Sequence, residues 1–230
     1  MIIDVITIFP DMFKHTISFG VLKEAFNKNL CELNIFDLRD FSADKHKKVD
    51  DRPYGGGPGM VMMVKPLTNA IEYVLEKNRG RNKKGNKLVL LSPKGKRLHQ
   101  EMLKKMSKEE NIIIICGRYE GIDQRLEELF KINKISIGDY VLTGGEIPAM
   151  VLIDGIVRNI EGVLGEKESL VNESFEGGLL DYPQYTRPPI FKGLKVPDIL
   201  LSGNHRLIDD WRKKKSFDIT VENRPDLFDK

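Results

Sequence analysis

Five stretches of the chain are apolar almost without interruption and rich in β-branched residues: Ile2–Phe9, Leu30–Leu38, Lys87–Ser92, Asn111–Gly117 and Lys134–Leu142. Each has the length and composition of a strand. Continuous rather than alternating hydrophobicity predicts strands covered on both faces. Between them, apolar residues recur at helical spacing, most plainly at Leu67, Ala70, Ile71, Val74 and Leu75. Helices are predicted over Pro10–Asn27, Pro66–Lys77, Lys96–Met106, Ile122–Phe130 and Glu146–Ile160. Strand and helix in alternation predict an α/β fold, a parallel sheet with helices on both faces. After Ile160 the alternation stops. Residues 1–161 therefore read as an α/β domain, 162–176 as an interdomain linker, and 177–230 as a small helical domain. The last holds two or three short helices, one of them Ser202–Lys215, capped at its start and basic at its end.

Glycine accumulates in three places, two of them at strand ends. Ile112–Cys116 runs into Gly117-Arg-Tyr-Glu-Gly121, and Lys134–Leu142 into Thr143-Gly144-Gly145. Asp50-Asp-Arg-Pro-Tyr-Gly-Gly-Gly-Pro-Gly-Met60 is a third glycine-rich loop. Without a Cβ the main chain can approach a ligand closely and offer its N–H and C=O groups. Two buried strands that spill into glycine-bearing polar loops predict one shared pocket at the strand ends. The 50–60 loop lacks the Lys-Ser/Thr ending of a phosphate loop and the spacing of a dinucleotide fingerprint. That counts against a nucleotide kinase or a nicotinamide enzyme. On the residues alone it is either an adaptable turn or a site for base edges or phosphates.

Composition narrows the class. With 40% hydrophobic residues the chain can bury a core, and a net charge of +3 permits an anionic partner without requiring one. Cys31 and Cys116 lie in strand-like runs and read as reduced, buried thiols. The histidines at 15, 46, 99 and 205 are scattered, and no Cys/His spacing suggests a zinc site. No apolar run is long enough to span a bilayer, and the N-terminus starts directly as a strand. The expected setting is cytoplasmic, with no membrane partner. The basic, glycine-broken stretch Arg79–Lys87 reads as an exposed loop.

The segments Asp50–Met60, Cys116-Gly-Arg-Tyr-Glu-Gly-Ile-Asp123 and Ser136-Ile-Gly-Asp-Tyr-Val-Leu142 resemble the signatures of the bacterial tRNA (guanine-N(1))-methyltransferases. So do Gly144-Gly-Glu146, Gly162-Val-Leu-Gly165, Tyr185-Thr-Arg-Pro188 and Leu200-Leu-Ser-Gly203. They occur in order over essentially the whole chain. The resemblance implies a SPOUT fold with a deep trefoil knot, which nothing in periodicity suggests and which general experience of folds opposes. It implies a homodimer whose active site both subunits share, S-adenosyl-L-methionine as methyl donor, and Mg²⁺ dependence, with the metal's residues unknown. The substrate it implies is the tRNA anticodon stem-loop, methylated at N1 of the guanosine 3′ of the anticodon, position 37.

Carried over motif by motif, the donor pocket would comprise Leu90, Leu91, Gly117, Tyr119, Ile137, Gly138, Asp139, Tyr140, Val141, Leu142, Gly144, Gly145 and Pro148. Asp50, Arg52, Gly59 and Glu120 would lie near the target base. Arg206 and Arg212, with Lys213, Lys214 and Lys215, would contact tRNA. N1 of guanine carries a proton that must leave, so a carboxylate is needed within hydrogen-bond reach. Charge then builds on the guanine carbonyl oxygen, where a guanidinium would stabilise it. The family pattern gives the second role to Arg158 and the first to Glu173, where the usual residue is aspartate. Glutamate reaches about 1.5 Å farther; Glu168 is the fallback. On the residues alone, Arg158 is a solvated helix charge and Glu173 a surface carboxylate. A non-catalytic RNA-binding protein of the same fold is the alternative reading.

Overall fold

A computed structural model describes the backbone of residues 1–16, 18–81, 85–164 and 173–228. Glu168, Gly165 and the middle of the expected 79–87 loop lie outside the described residues, as does most of the expected linker. The chain divides into two compact units, Met1–Leu164 and Gly165–Lys230.

In the first unit, five parallel strands form one sheet. In chain order they are β1 (Ile2–Thr7), β2 (Glu32–Asp37), β5 (Asn86–Arg97), β6 (Asn111–Cys116) and β7 (Ile132–Ser136). Their spatial order is β2-β1-β6-β5-β7. A separate two-stranded ladder pairs β3 (Asp50–Asp51) with β4 (Val61–Met62) and closes the base of the glycine-rich loop. Because successive strand residues point to opposite faces, β6 feeds two cores at once. Ile112, Ile114 and Cys116 pack with α2 (Gly20–Asn27), α6 (Glu146–Val157) and Phe13 of α1 (Asp11–Thr16). Ile113 and Ile115 pack with Leu67, Ala70, Ile71 and Val74 of α3 (Val64–Lys77) and with Leu126 of α5 (Arg125–Leu129). The predicted parallel sheet with helices on both faces is therefore present. Gly155 of α6 lies against Leu103 of α4 (Gln100–Met106), where a Cβ would come within 2.7 Å of the leucine.

Several boundaries differ from expectation. The single helix expected over Pro10–Asn27 is two, and α2 starts at Gly20, whose φ of +60° no helix interior adopts. The strand expected over Lys134–Leu142 ends at Ser136, and 137–145 is irregular. The Ser136 hydroxyl accepts the Gly138 N–H at 3.2 Å and donates to the Gly138 carbonyl at 2.9 Å, turning the chain out of the ladder. The helix expected from Lys96 begins at Gln100, because β5 continues through Pro93 and Gly95 to Arg97 after a register shift against β7. At Gly95 a Cβ would meet the Ile135 backbone nitrogen at 2.4 Å, so only glycine fits this crossing. His99 then caps α4, its side chain accepting the Met102 N–H.

Both cysteines are free and buried. Burial pushes the Cys31 thiol up to about 11 and the Cys116 thiol well above its ordinary value. No described helix is long and apolar enough to cross a membrane.

The second unit contains a short hairpin of β8 (Ile190–Phe191) and β9 (Leu194–Lys195), α7 (Asp198–Leu201) and α8 (His205–Asn223). The helix expected to end at Lys215 runs eight residues further. It is capped by Asn204, whose side chain accepts the Leu207 N–H at 3.3 Å. Tyr185 packs on Trp211 and Phe217 on Phe228, giving the unit its aromatic contacts.

Candidate active site

In open parallel sheets, ligands bind beyond the carboxyl ends of the strands, where loops diverge. Here the ends of β5, β6 and β7 surround a cavity of about 320 Å³. Leu90 and Leu91 come from β5, Gly117 and Tyr119 from the loop after β6, and Ile137, Gly138, Tyr140, Val141 and Leu142 from the segment after β7. Gly144, Gly145 and Pro148 complete the group at the start of α6. Twelve of the thirteen expected donor-pocket residues thus line one cavity. Asp139 does not; its carboxylate pairs with Arg97 at 3.2 Å.

The glycines explain how three backbones come so close. Gly145 donates its N–H to the Gly117 carbonyl at 2.8 Å, and a Cβ on it would sit 2.8 Å from the Gly117 nitrogen. The ring of Tyr140 folds over Gly138, reaching within 2.4 Å of where a Cβ would stand. Tyr119 takes a left-handed φ of 59°, uncommon for a bulky side chain and a form of strain that clusters at binding sites. The cavity also has a polar end, where Lys134 and Glu127 pair at 2.8 Å.

The 50–60 loop is tied to the same wall. The Glu120 N–H donates to the Met60 carbonyl at 3.0 Å and Met62 N–H to the Gly121 carbonyl at 2.9 Å. Gly59 lies under Glu120, whose Oε1 would be 2.5 Å from a Cβ there. Two of the expected base-side residues, Gly59 and Glu120, are therefore adjacent, and Glu120 also lines the cavity. Asp50 pairs with Met62 in the short ladder, and Arg52 is exposed two residues on. The Arg52 N–H donates to Asp51 at 2.9 Å, and Lys48 pairs with the same carboxylate at 3.1 Å. These contacts hold the Asp51 carboxyl below its ordinary value, the backbone bond from Arg52 first and Lys48 second.

Arg158 sits at the C-terminal cap of α6, half-buried. Glu173 is half-buried in the second unit, its carbonyl accepting the Glu176 N–H at 3.1 Å. In that unit Arg206, Lys213 and Lys214 are exposed on α8. Arg212 is used internally: its guanidinium stacks on Tyr182 at 4.9 Å and pairs with Asp209 at 3.6 Å. Among the described residues, no group of three or more His, Cys, Asp or Glu side chains is arranged to hold a metal.

Sequence reasoning missed one feature of the site. Arg118 pairs at 2.9 Å with Glu146, which is completely buried and whose other oxygen accepts the Thr7 hydroxyl at 2.8 Å. The three residues lie far apart in sequence. The only local sign is an acidic residue directly after two glycines at a helix start, a position favoured for anions.

A family model described as tRNA (Guanine-1)-methyltransferase TrmD matches residues 1–230. The chain is 52% identical over 231 residues to the tRNA (guanine-N(1)-)-methyltransferase of Caldanaerobacter subterraneus subsp. tengcongensis, covering 100% of this chain and 92% of that protein. The enzyme of the same name from Dictyoglomus turgidum is 51% identical over 228 residues, covering 99% and 90%. That from Geobacillus kaustophilus is 48% identical over 229 residues, covering 100% and 92%.

Proposed function

Because the chain belongs to the tRNA (guanine-1)-methyltransferase family, we propose that it transfers a methyl group from S-adenosyl-L-methionine to N1 of the guanosine 3′ of the anticodon, position 37 of tRNA. The observation that carries this reading is the cavity. Leucines from β5 offer apolar walls for an adenine, and the backbone at 137–142 offers N–H and C=O groups for its edge. Glycines 144 and 145 let the start of α6 close onto Arg118 and the end of β6, which shapes the remaining wall. Bound there, S-adenosyl-L-methionine supplies a methyl group already activated on a sulfonium.

The protein's own part is positioning and proton handling. Glu173 would accept the N1 proton, and Arg158 would stand by the guanine carbonyl oxygen as negative charge gathers there. The base-side residues Asp50, Arg52, Gly59 and Glu120 would read a base splayed from the anticodon loop, the way single-stranded RNA is usually recognised. Joining of the 50–60 loop to the cavity wall through Glu120 and Gly121 supports that placement. Exposed Arg206, Lys213 and Lys214 on α8 support a role for the second unit on the phosphate backbone, with Arg212 stacked on Tyr182.

The family's trefoil knot accords with the tight passages at Gly95 over Ile135 and at Gly145 against Gly117. A homodimer accords with Ile147 and Val151, apolar and half-exposed one turn apart on α6. A cytoplasmic setting accords with a tRNA substrate. The described residues offer no cluster that fits Mg²⁺. Mass spectrometry of tRNA incubated with the protein and S-adenosyl-L-methionine tests the reading: one methyl group on the guanine at position 37 is expected. Unmodified tRNA, bound by folded protein, would instead favour a non-catalytic RNA-binding role.

A further inference from the structure

A carboxylate with no solvent exposure must be compensated by partners within the protein. Glu146, at the first turn of α6, meets that demand completely. Its Oε1 accepts the Thr7 hydroxyl at 2.8 Å and its Oε2 accepts Arg118 Nε–H at 2.9 Å. The Thr7 oxygen also accepts the Phe9 N–H at 3.0 Å, so the same hydroxyl ties the end of β1 to the carboxylate. Arg118 is then held on further sides. Its Nη1 donates to the Thr143 carbonyl at 3.2 Å, and its plane lies 4.4 Å from the Phe9 ring centre.

One guanidinium therefore joins three separated pieces of chain: the end of β1, the 117–121 loop and the 143–145 segment. The last two are walls of the cavity, whereas Thr7 and Glu146 do not line it. The walls are also paired directly, through a bridge between Arg118 and Gly144. Gly144 packs so closely on the guanidinium that a Cβ would lie 2.2 Å from Nε. Arginine suits this junction because its planar fork can serve Glu146 and Thr143 together while its face stacks on an aromatic ring; a lysine ammonium cannot. A buried ion pair adds little net stability over an apolar pair, so its consequence lies in geometry.

We propose that Glu146 is a positioning residue for donor binding: with Thr7 it fixes Arg118, which holds the 117–121 and 143–145 walls at the separation the donor requires. The proposal rests on the cavity being the S-adenosyl-L-methionine site. In the full-length protein, Glu146→Gln should weaken S-adenosyl-L-methionine binding, measured calorimetrically, by about 10- to 100-fold, as befits loss of a charge-assisted bond. Affinity for tRNA without donor should stay within about threefold, because the walls, not the RNA-facing groups, have shifted. Thr7→Val should weaken donor binding in the same direction, and Thr7→Ser, which keeps the hydroxyl, should restore it. Glu146→Gln combined with Arg118→Lys should be no weaker than Arg118→Lys alone, since Glu146 acts only through Arg118.

Variants that melt lower yet bind donor like the parent would overturn the proposal, leaving a structural role only. Equal losses of donor and tRNA affinity would overturn it as well. Should Glu146→Gln fail to fold, the Thr7→Val and Thr7→Ser pair decides the matter alone. The unsubstituted protein separates the two layers of inference: if it takes up no donor, the cavity assignment falls first, whereas normal uptake with unaffected variants removes only the role of Glu146.

Discussion

Replacing Gly145 with alanine isolates the contact that brings the 143–145 segment onto β6. Gly145 has φ −81° and ψ −6°, a conformation alanine adopts freely, so backbone strain contributes nothing. The new methyl would stand 2.8 Å from the Gly117 nitrogen, 2.9 Å from Cys116 Cα and 3.1 Å from its carbonyl carbon. Comfortable contacts between such atoms are roughly 3.5–4.0 Å. All three belong to the main chain at the end of a strand that is buried throughout, so none can rotate away. The cost should reach the upper end of overpacking, about 3 kcal/mol. For a protein of this size that lowers the thermal midpoint by about 6–12 °C. Gly20→Ala is the control. Its φ is +60° but nothing lies within 4 Å, so only left-handed strain of about 1 kcal/mol is expected. Circular dichroism melts of the two variants give the comparison. If Gly145→Ala melts no lower than Gly20→Ala, the segment is not seated on β6 and the account of the cavity wall fails.

Arg158→Ala should slow single-turnover methylation by about 100- to 1,000-fold, the usual effect of deleting a donor to a developing oxyanion. Donor affinity should change little, and a parallel loss of both would remove its assigned role. Asp4 is fully buried and accepts amide donors from Asn34 at 2.9 Å, Asn78 at 2.7 Å and Asn111 at 3.4 Å. Asp4→Ala strands the two buried amides and should cost about 3 kcal/mol in urea unfolding, and a loss below about 1 kcal/mol would show that the cluster holds nothing together. The Arg125 guanidinium holds the Asp123 carboxyl below its ordinary value of 3.8 by hydrogen bonding. With the folded value lower than the unfolded one, the stabilisation is present above the unfolded value and is lost as pH falls through the folded value. Asp123→Asn should therefore flatten the acid limb of stability below about pH 4 in urea titrations, and an unchanged limb would refute the coupling.

Much of the α/β unit was legible because continuous apolar runs report burial on two faces, and Ile112–Cys116 is buried throughout. Boundaries were less legible where tertiary contacts decide them. β5 continues past Pro93 because β7 offers it a second register, and β7 stops at Ser136 because that hydroxyl captures the Gly138 backbone. Neither cause lies within a local window of sequence. The hairpin at 190–195 has only two residues per strand, too few to show alternation. The cavity residues were named through resemblance, and the residues alone implied only a pocket where two glycine-bearing loops meet. The pairing of Arg118 with Glu146 escaped notice because 28 positions and two elements separate them, so no spacing rule connects them.

The glycines show why a count of them says little until their neighbours are known. Gly55, Gly56 and Gly57 have positive φ with open space where a Cβ would stand. They are needed for chain direction, and their cost on substitution is backbone strain confined to an exposed loop. Gly95, Gly144 and Gly145 carry no such φ, yet other groups come within 3 Å of a Cβ on each. They are needed for proximity, and two of them meet backbone that cannot yield. In the sequence both kinds read as glycine-rich loops beside strands. Their consequences are opposite: the first kind leaves a surface free to adapt to a ligand, and the second fixes the walls behind it. A site that must bind a small donor tightly and also admit a large nucleic acid needs both. Gly144 and Gly145 lie on the expected donor side and Gly55, Gly56 and Gly57 on the expected RNA side, and Gly59, with both a positive φ and Glu120 over it, joins the two.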